Sequence, residues 1–141
     1  MRRYSRQREI ILNAVRENLI HPDAEEIYSI VRAKDPSISL GTVYRNLNLL
    51  SELGEIRKIQ MAEGADRYDG NISGHHHSIC SKCGKIMDYD YDFGGLGNEV
   101  LTQTGIECRN ITVTLEGICR DCLSEKIGEK AVKFFVEIGE N

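Results

Sequence analysis

Two Cys-x-x-Cys pairs are the residues with the clearest chemistry in this sequence. Cys80 and Cys83 form the first pair, Cys119 and Cys122 form the second, and 35 residues lie between them. Each pair can present two sulfurs from one tight turn, and four thiolates in a tetrahedron are a preferred environment for zinc. The spacing therefore predicts one structural Zn²⁺ held by all four cysteines.

A redox centre is the alternative, because a single Cys-x-x-Cys pair can cycle between dithiol and disulfide. Such a motif normally opens a helix inside a strand–helix–strand unit, which is not the context of Cys80. A thiol redox protein is therefore kept as a remote alternative. The fifth cysteine, Cys108, stands apart and is expected to be a buried or free thiol without an assigned role.

A run of three histidines precedes the first cysteine pair. On an extended segment, residues two apart share a face, so His75 and His77 would point together while His76 points away. Two imidazoles suit a borderline transition metal, and added carboxylates shift the preference toward iron or manganese. Taken alone, however, a histidine run is more often a solvated polar loop.

The first half of the chain is predicted to contain three short helices. Ser5, Asp23 and Ser39 stand where helix N-caps are expected, and Asp23 with Glu26 resembles a capping box. Asp35-Pro36 and Gly54 are expected to end the second and third helices. Apolar residues recur at helical spacing, and those assigned to the first helix are Ile10, Ile11, Ala14, Val15 and Leu19.

A hairpin is predicted after the third helix, where residues 56–62 and 66–69 flank Glu63-Gly64-Ala65. Three helices followed by a hairpin make a winged helix, which places the third helix in a DNA major groove and the hairpin against the backbone. A three-helix scaffold without DNA affinity is the alternative.

The second half is predicted to mix strands and helices around the cysteine pairs. We expect strands at 85–91 and 111–115, a helix at 94–103 and a last helix from about 124 to 138. The apolar residues of this half exceed what its own core needs, so a homodimer interface is expected. The predicted fold is α+β, with a winged-helix DNA-binding domain at residues 1–70 and a small α/β dimerisation and metal-binding domain at 71–141.

Composition is that of an ordinary globular protein, with 40% hydrophobic and 28% charged residues among 141. No apolar run approaches membrane-spanning length, and the basic start lacks the apolar core of a signal peptide, so we expect a cytoplasmic protein without disulfides. The net charge is −4, but residues 1–61 carry +2 and residues 62–141 carry −6. This division permits nucleic-acid binding by the first half.

Together these residues resemble the ferric uptake regulator family over about residues 4–123. Several unrelated motifs occur in order and at family spacing, which is more specific than any one of them. They are Arg6-Gln7-Arg8, His21-Pro22-Asp23-Ala24-Glu25-Glu26-Ile27-Tyr28, Ser39-Leu40-Gly41-Thr42-Val43-Tyr44-Arg45-Asn46-Leu47, Arg67-Tyr68-Asp69, His75-x-His77, Cys80-x-x-Cys83-Gly84-Lys85 and Gly117-x-Cys119-x-x-Cys122.

The resemblance implies a metal-dependent transcriptional repressor rather than an enzyme, acting as a homodimer on a double-stranded DNA operator. It implies Zn²⁺ at the four cysteines and Fe²⁺ or Mn²⁺ at a separate regulatory site, whose ligands fall on His21, Asp69, His75, His77 and Asp88. By the same resemblance, Thr42, Tyr44 and Arg45 of the recognition helix contact DNA, and Arg6 and Arg8 can add backbone contacts.

Aspartate at both carboxylate positions, Asp69 and Asp88, resembles the peroxide-responsive branch of the family, whereas the iron sensors commonly have glutamate. In that branch a metal held by all five ligands links the two halves of the chain, and peroxide oxidises a ligand histidine and releases the link. An iron- or zinc-homeostasis regulator of the same family remains the alternative.

The sequence departs from the family pattern in two places. Gly74, His76 and Ile111 stand where a further metal site of the iron-sensing members has a His, an Asp and a His, so that site is expected to be absent. Many members also begin with an additional N-terminal helix, whereas this sequence starts close to its first core helix. This departure puts in doubt the extra DNA contacts that such a helix supplies, but not the recognition helix itself.

Overall fold

Three helices and a two-stranded hairpin make up the first part of the protein. The computed structural model describes residues 5–124, and the chain divides into unit 1, Met1–Ser73, and unit 2, Gly74–Asn141. The elements of unit 1 are α1 (Arg6–Glu17), α2 (Ala24–Lys34), α3 (Leu40–Glu52), β1 (Arg57–Ile59) and β2 (Arg67–Asp69). The two strands pair antiparallel, which gives the predicted winged-helix arrangement of three helices and a wing.

The helix ends follow the predicted capping residues, with one exception. Asp23 accepts a hydrogen bond from the Glu26 N–H and donates its own N–H to the Glu26 carboxylate, a complete capping box. Ser39 accepts from the Thr42 N–H at 3.2 Å. Gly54 follows the C-cap of α3 with φ of +73°, a left-handed conformation that favours glycine. Ser5 occupies the N-cap position of α1, but its side chain makes no capping hydrogen bond.

The assignment of Leu19 to the apolar face of the first helix is wrong. Helix α1 ends at Glu17 and Leu19 is 85% exposed. The helical period continues through the sequence, but the chain leaves the helix at Asn18, whose backbone is extended. The reason is tertiary, because residues just after it are held against β2, as described below.

Apolar side chains from all three helices form the core of unit 1, together with Ile38, Ile56 and Tyr68. The helical members are Ile11, Leu12, Ala14, Val15, Ala24, Ile27, Val31, Val43, Leu47 and Leu50. Because all of these side chains belong to unit 1, the core fixes the orientation of α3 relative to α1 and α2. The opposite face of α3 carries its exposed residues.

A three-stranded sheet organises the described part of unit 2. Its elements are β3 (His76–Cys80), β4 (Ile86–Tyr89), α4 (Gly94–Thr104), β5 (Thr114–Gly117) and α5 (Arg120–Ser124). The strand order is β4-β3-β5, with β3 antiparallel to β4 and parallel to β5. The histidine run, predicted only to be extended, thus begins the central strand. The helix predicted from about 124 to 138 lies, beyond its first residue, outside the described residues.

Few apolar side chains are buried in residues 74–124, the described part of this unit. Within residues 94–104, all of them described, no side chain of α4 is buried, and Leu96 and Leu101 are 49% and 44% exposed. Leu115 on β5 is 43% exposed. Among residues 5–124, no helix is both long and apolar enough to cross a membrane.

Candidate metal centres and the exposed face of the third helix

The four cysteines of the two Cys-x-x-Cys pairs converge within unit 2. Their Sγ atoms all lie within 4.8 Å of one another, and the Cys83 and Cys119 sulfurs are 3.7 Å apart. Sulfurs at the corners of a tetrahedron around zinc, each about 2.3 Å from the metal, would be roughly 3.8 Å apart. The cysteine cluster therefore fits a tetrahedral S₄ zinc site.

Backbone geometry sets the position of each sulfur. Gly84 closes the first turn with φ of +76°, and its N–H donates to the Cys80 carbonyl at 2.9 Å. The N–H groups of Cys83 and Cys119 point at the Cys80 sulfur, at 3.5 and 3.3 Å. Cys80 ends the central strand β3 and Cys119 follows β5, so the β3–β5 pairing brings the two knuckles together.

The acidity of the thiols shows why this cluster favours a cation. Burial opposes ionisation of Cys80, but the N–H groups of Cys119, Cys83 and Lys82 stabilise its thiolate and lower its pKa to about 6. Cys122 is affected in the opposite sense, because its side-chain hydrogen bond with Cys119, and then burial, raise its pKa to about 12. Four sulfurs this close cannot all ionise by themselves, and a bound dication would compensate their charge.

Cys108 lies outside this cluster. All five cysteines fall within residues 5–124 and are free thiols, and Cys108 is exposed. The prediction of a free thiol is confirmed for this residue.

In unit 1, His21 and Asp69 form a buried pair. The His21 Nε2 lies 3.5 Å from Asp69 Oδ2, and the two side chains are 5% and 8% exposed. The other carboxylate oxygen of Asp69 accepts the Asn71 N–H at 2.8 Å, which fixes the carboxylate plane. A histidine nitrogen and an oriented carboxylate oxygen are thus placed side by side as N/O donors.

A close backbone approach determines where Asp69 lies. Gly70 packs on α1 so tightly that a Cβ at this position would be 2.6 Å from Arg16 Cα and 3.0 Å from its N. These are backbone atoms of a helix, so moving them aside would cost considerable free energy. Only glycine lets the end of β2 lie this near to α1, and this role of Gly70 was missed by the sequence analysis.

In unit 2, three further predicted ligands come together. The His75 and His77 Nε2 atoms are 3.1 Å apart, and they lie 3.5 and 3.3 Å from Asp88 Oδ1. Asp88 is placed by the register of the sheet, which pairs it with His77 across β3 and β4. Both histidines are buried, whereas the Asp88 side chain is 41% exposed. Two nitrogens from the start of the β3 segment and an oxygen from β4 thus converge, and this donor set suits a transition metal of the iron and manganese type.

His76 is directed away from that cluster, as predicted, and has a different role. Its Nδ1 accepts the Val113 N–H at 3.1 Å, so its Nε2 carries the proton and donates to the Tyr91 carbonyl at 3.2 Å. The ring packs edge-on against Phe93, with 4.7 Å between centroids. The His76 ring therefore connects the segment after β4 with the segment before β5, and both of its nitrogens have backbone partners.

The predicted DNA-contacting residues lie in unit 1. Tyr44 and Arg45 are exposed on α3, and Arg45 donates to the Thr42 hydroxyl at 3.0 Å, which orients its guanidinium. Arg8 is half-buried and donates to the Asn46 side chain at 3.3 Å, while Arg6 at the start of α1 is exposed. Buried residues of α3 face the core, so these polar groups occupy the face that is free for a partner.

Comparison with known proteins identifies the family. The model of the ferric uptake regulator family matches residues 2–116 of this chain. The chain belongs to the ferric uptake regulator family. The resemblance inferred from the motifs is thereby confirmed.

Two relatives illustrate the similarity in sequence. The chain is 34% identical over 123 residues to the peroxide operon regulator of Bacillus subtilis, covering 85% of this chain and 83% of that protein. It is 32% identical over 127 residues to the peroxide-responsive repressor PerR of Staphylococcus epidermidis, covering 87% and 83%.

Solved structures of the same family share the fold. The Helicobacter pylori ferric uptake regulator Fur matches with a TM-score of 0.75 and 28% identity, covering 86% of this chain and 82% of that one. The Campylobacter jejuni peroxide stress regulator matches with a TM-score of 0.71 and 30% identity, covering 82% and 88%. The predicted α+β fold with a winged helix is confirmed.

Proposed function

We propose that this protein is a cytoplasmic, dimeric, metal-dependent transcriptional repressor that binds a double-stranded DNA operator and releases it in response to peroxide. Family membership and the relatives named as peroxide-responsive repressors support a metal-dependent repressor rather than an enzyme. The domain roles that we propose are DNA binding for the first half, residues 1–70, and dimerisation with metal binding for 71–141.

The donor set of the regulatory site carries the proposal. The site offers three imidazoles and two carboxylates but no thiolate, from His21, Asp69, His75, His77 and Asp88. Nitrogen and oxygen donors of this kind suit Fe²⁺ or Mn²⁺, whereas a closed structural zinc site is typically rich in thiolates. Within each unit the donors already lie within 3.5 Å of one another. We assign all five to one regulatory metal, and the cysteine cluster to a separate structural Zn²⁺.

The division of these ligands between the units supports a route from metal to DNA. His21 and Asp69 belong to the unit that carries α3, whereas the other three ligands belong to unit 2. Ligands that must converge on one ion restrict how the two units can be arranged. If the arrangement that binds metal best is also the one that binds DNA, then metal affinity appears as DNA affinity through linkage.

Peroxide sensing depends on what surrounds the regulatory site. A ferrous ion held by these ligands would activate peroxide by cleaving its O–O bond. The His75 and His77 rings are buried, so an oxidant formed beside them meets an imidazole before it meets solvent. The partly exposed Asp88 leaves this side of the site open to a molecule as small as peroxide. In the balanced reaction, one peroxide oxygen would enter an imidazole C–H bond and the other would leave as water, with no net change in the iron. The oxidised ring would be a weaker ligand, so the site would hold its metal less tightly.

The test combines metal analysis of the purified protein with DNA binding before and after peroxide. We expect one zinc per chain, operator binding with either Fe²⁺ or Mn²⁺, and rapid loss of binding only for the iron form. Mass spectrometry should then find added oxygen on His21, His75 or His77. Equal behaviour of the iron and manganese forms, with oxidation only on cysteines, would contradict peroxide sensing through this site.

An iron- or zinc-homeostasis regulator is the second candidate, favoured by the structural similarity to the Helicobacter pylori ferric uptake regulator. It requires the same ligands but no histidine oxidation. The order of operator occupancy under Fe²⁺, Mn²⁺ and Zn²⁺, measured without peroxide, distinguishes this candidate from a peroxide sensor that also responds to manganese.

A further inference from the structure

His21 has an unusual backbone conformation. Its φ is +57°, and among the described residues it is the only non-glycine residue with a positive φ. A side chain in this left-handed region costs free energy, although histidine adopts it more readily than most residues. Such a conformation persists only where the surrounding structure holds it. The direction of the His21 imidazole therefore depends on whatever fixes this backbone.

Arg67 makes the contacts that hold it. The Arg67 Nε donates to the His21 carbonyl, and its Nη2 donates to the Ile20 carbonyl at 3.4 Å. One planar guanidinium thus engages two successive carbonyls of the loop between α1 and α2. Beside it, the Tyr68 N–H donates to the Pro22 carbonyl at 2.9 Å, and Asp23 forms a β-bridge with Arg67. These contacts attach the loop to β2 on both sides of His21.

The same strand ends at Asp69, two residues beyond Arg67, so one strand supplies both the group that holds His21 and the carboxylate that faces it. We infer that Arg67 is a positioning residue for the regulatory metal: its guanidinium holds the His21 backbone so that the imidazole faces Asp69 before a metal arrives. This inference rests on the proposed assignment of His21 as a ligand. Arg67 does not itself bind the metal.

Loss of this guanidinium should lower metal affinity through His21 alone. Partners that orient a metal ligand typically contribute about 10- to 100-fold in affinity. We therefore expect Arg67→Gln to weaken Mn²⁺ binding by that factor, measured by calorimetry on the zinc-loaded full chain. Arg67→Lys should give a smaller loss, because an ammonium donates from one point and cannot span both carbonyls as the guanidinium does.

A double-mutant cycle separates positioning from a general structural effect. His21→Gly removes the ligand without steric strain at this positive φ. If Arg67 acts through His21, Arg67→Gln should cause little further loss of Mn²⁺ affinity in the His21→Gly background. Arg32→Gln is the matched control in unit 1, since Arg32 is an exposed arginine of α2 whose guanidinium lies over the Tyr28 ring, and its loss should leave Mn²⁺ affinity unchanged.

The absorption spectrum of bound Co²⁺ gives a second readout, which should change in Arg67→Gln because the His21 nitrogen is misplaced. Thermal unfolding of each variant reports any loss of the fold. Unchanged Mn²⁺ affinity in Arg67→Gln, or an equal loss with and without His21, would overturn the inference and leave the proposed function intact. Unchanged affinity in His21→Gly alone would overturn the ligand assignment and this inference together.

Discussion

The described parts of the two units bury different kinds of residues. Unit 1 buries a continuous set of thirteen apolar residues, contributed by every helix and by the wing. In the described part of unit 2, the buried apolar residues are Ile79, Cys80, Ile86 and Cys122, and two of these are predicted zinc ligands. Helix α4 buries no side chain. The described part of unit 1 thus has an apolar core of its own, whereas we expect bound zinc to contribute much of the stability of unit 2.

This difference matches the separate tasks that we propose. A DNA-binding domain benefits from a rigid core, because contacts with base edges require the recognition helix to keep a fixed orientation in the domain. A unit that senses metal and dimerises benefits from stability that depends on bound metal. Its folding and dimerisation then respond to whether the metal site is filled.

Removal of one zinc ligand should affect unit 2 far more than unit 1. Structural zinc contributes on the order of 10 kcal/mol of apparent binding free energy to small domains. We expect Cys80→Ser to lose zinc, unfold unit 2 or break the dimer, measured by metal content and size-exclusion chromatography. Cys108→Ser is the matched control, because Cys108 is an exposed thiol outside the cluster. A dimeric, stable and zinc-free Cys80→Ser protein would show that unit 2 does not depend on this metal.

A cavity in the apolar core should destabilise unit 1 far more than unit 2. Leu47 is fully buried on α3, and Leu→Ala changes at such sites cost about 2–5 kcal/mol. We expect Leu47→Ala to lower the unfolding free energy of unit 1 by that amount in urea while zinc content stays at one per chain. Loss of zinc in this variant would contradict independent stabilisation of the two units.

Specific DNA binding should depend on the exposed face of unit 1. Tyr44→Ala and Arg45→Ala should each cost about 1–3 kcal/mol in operator affinity and relax specificity locally, if these side chains read base edges. Arg109→Ala, which removes an exposed arginine of unit 2, is the control for lost charge. If the double variant Tyr44→Ala/Arg45→Ala keeps its specific affinity, then α3 is not the recognition helix.

The smallest change should alter sensing and leave binding in place. Asp88→Glu keeps the carboxylate but lengthens the side chain, so we expect it to retain Mn²⁺ and operator binding and to respond more slowly to peroxide in the iron form. Asp90→Glu changes an exposed aspartate two residues further along the chain and controls for the added methylene. A wild-type peroxide response in Asp88→Glu would mean that either carboxylate serves and would favour an ordinary iron sensor.

Much of the site could be predicted because its chemistry depends on residue types and on short spacings along the sequence. The two cysteine pairs, the alternating His75 and His77, and the capping box at Asp23 each depend on neighbours a few residues away. The structure brings the four sulfurs together and directs His76 away from the other two histidines, as these local rules indicate. The boundaries of β4 and β5 were less accurate, because strand ends depend on pairing with β3.

The sequence by itself determined the donor atoms, the helix starts and the family motifs, since these follow from side-chain chemistry and local backbone preference. Only the tertiary structure decided that α1 ends before Leu19, that Arg67 holds His21 at a positive φ, and that Gly70 must lie against Arg16. Each of these joins residues about 46 to 54 positions apart along the chain, where no local pattern reports the contact. A close approach of two backbones or a guanidinium spanning two distant carbonyls exists only once the core has set the distances between the elements.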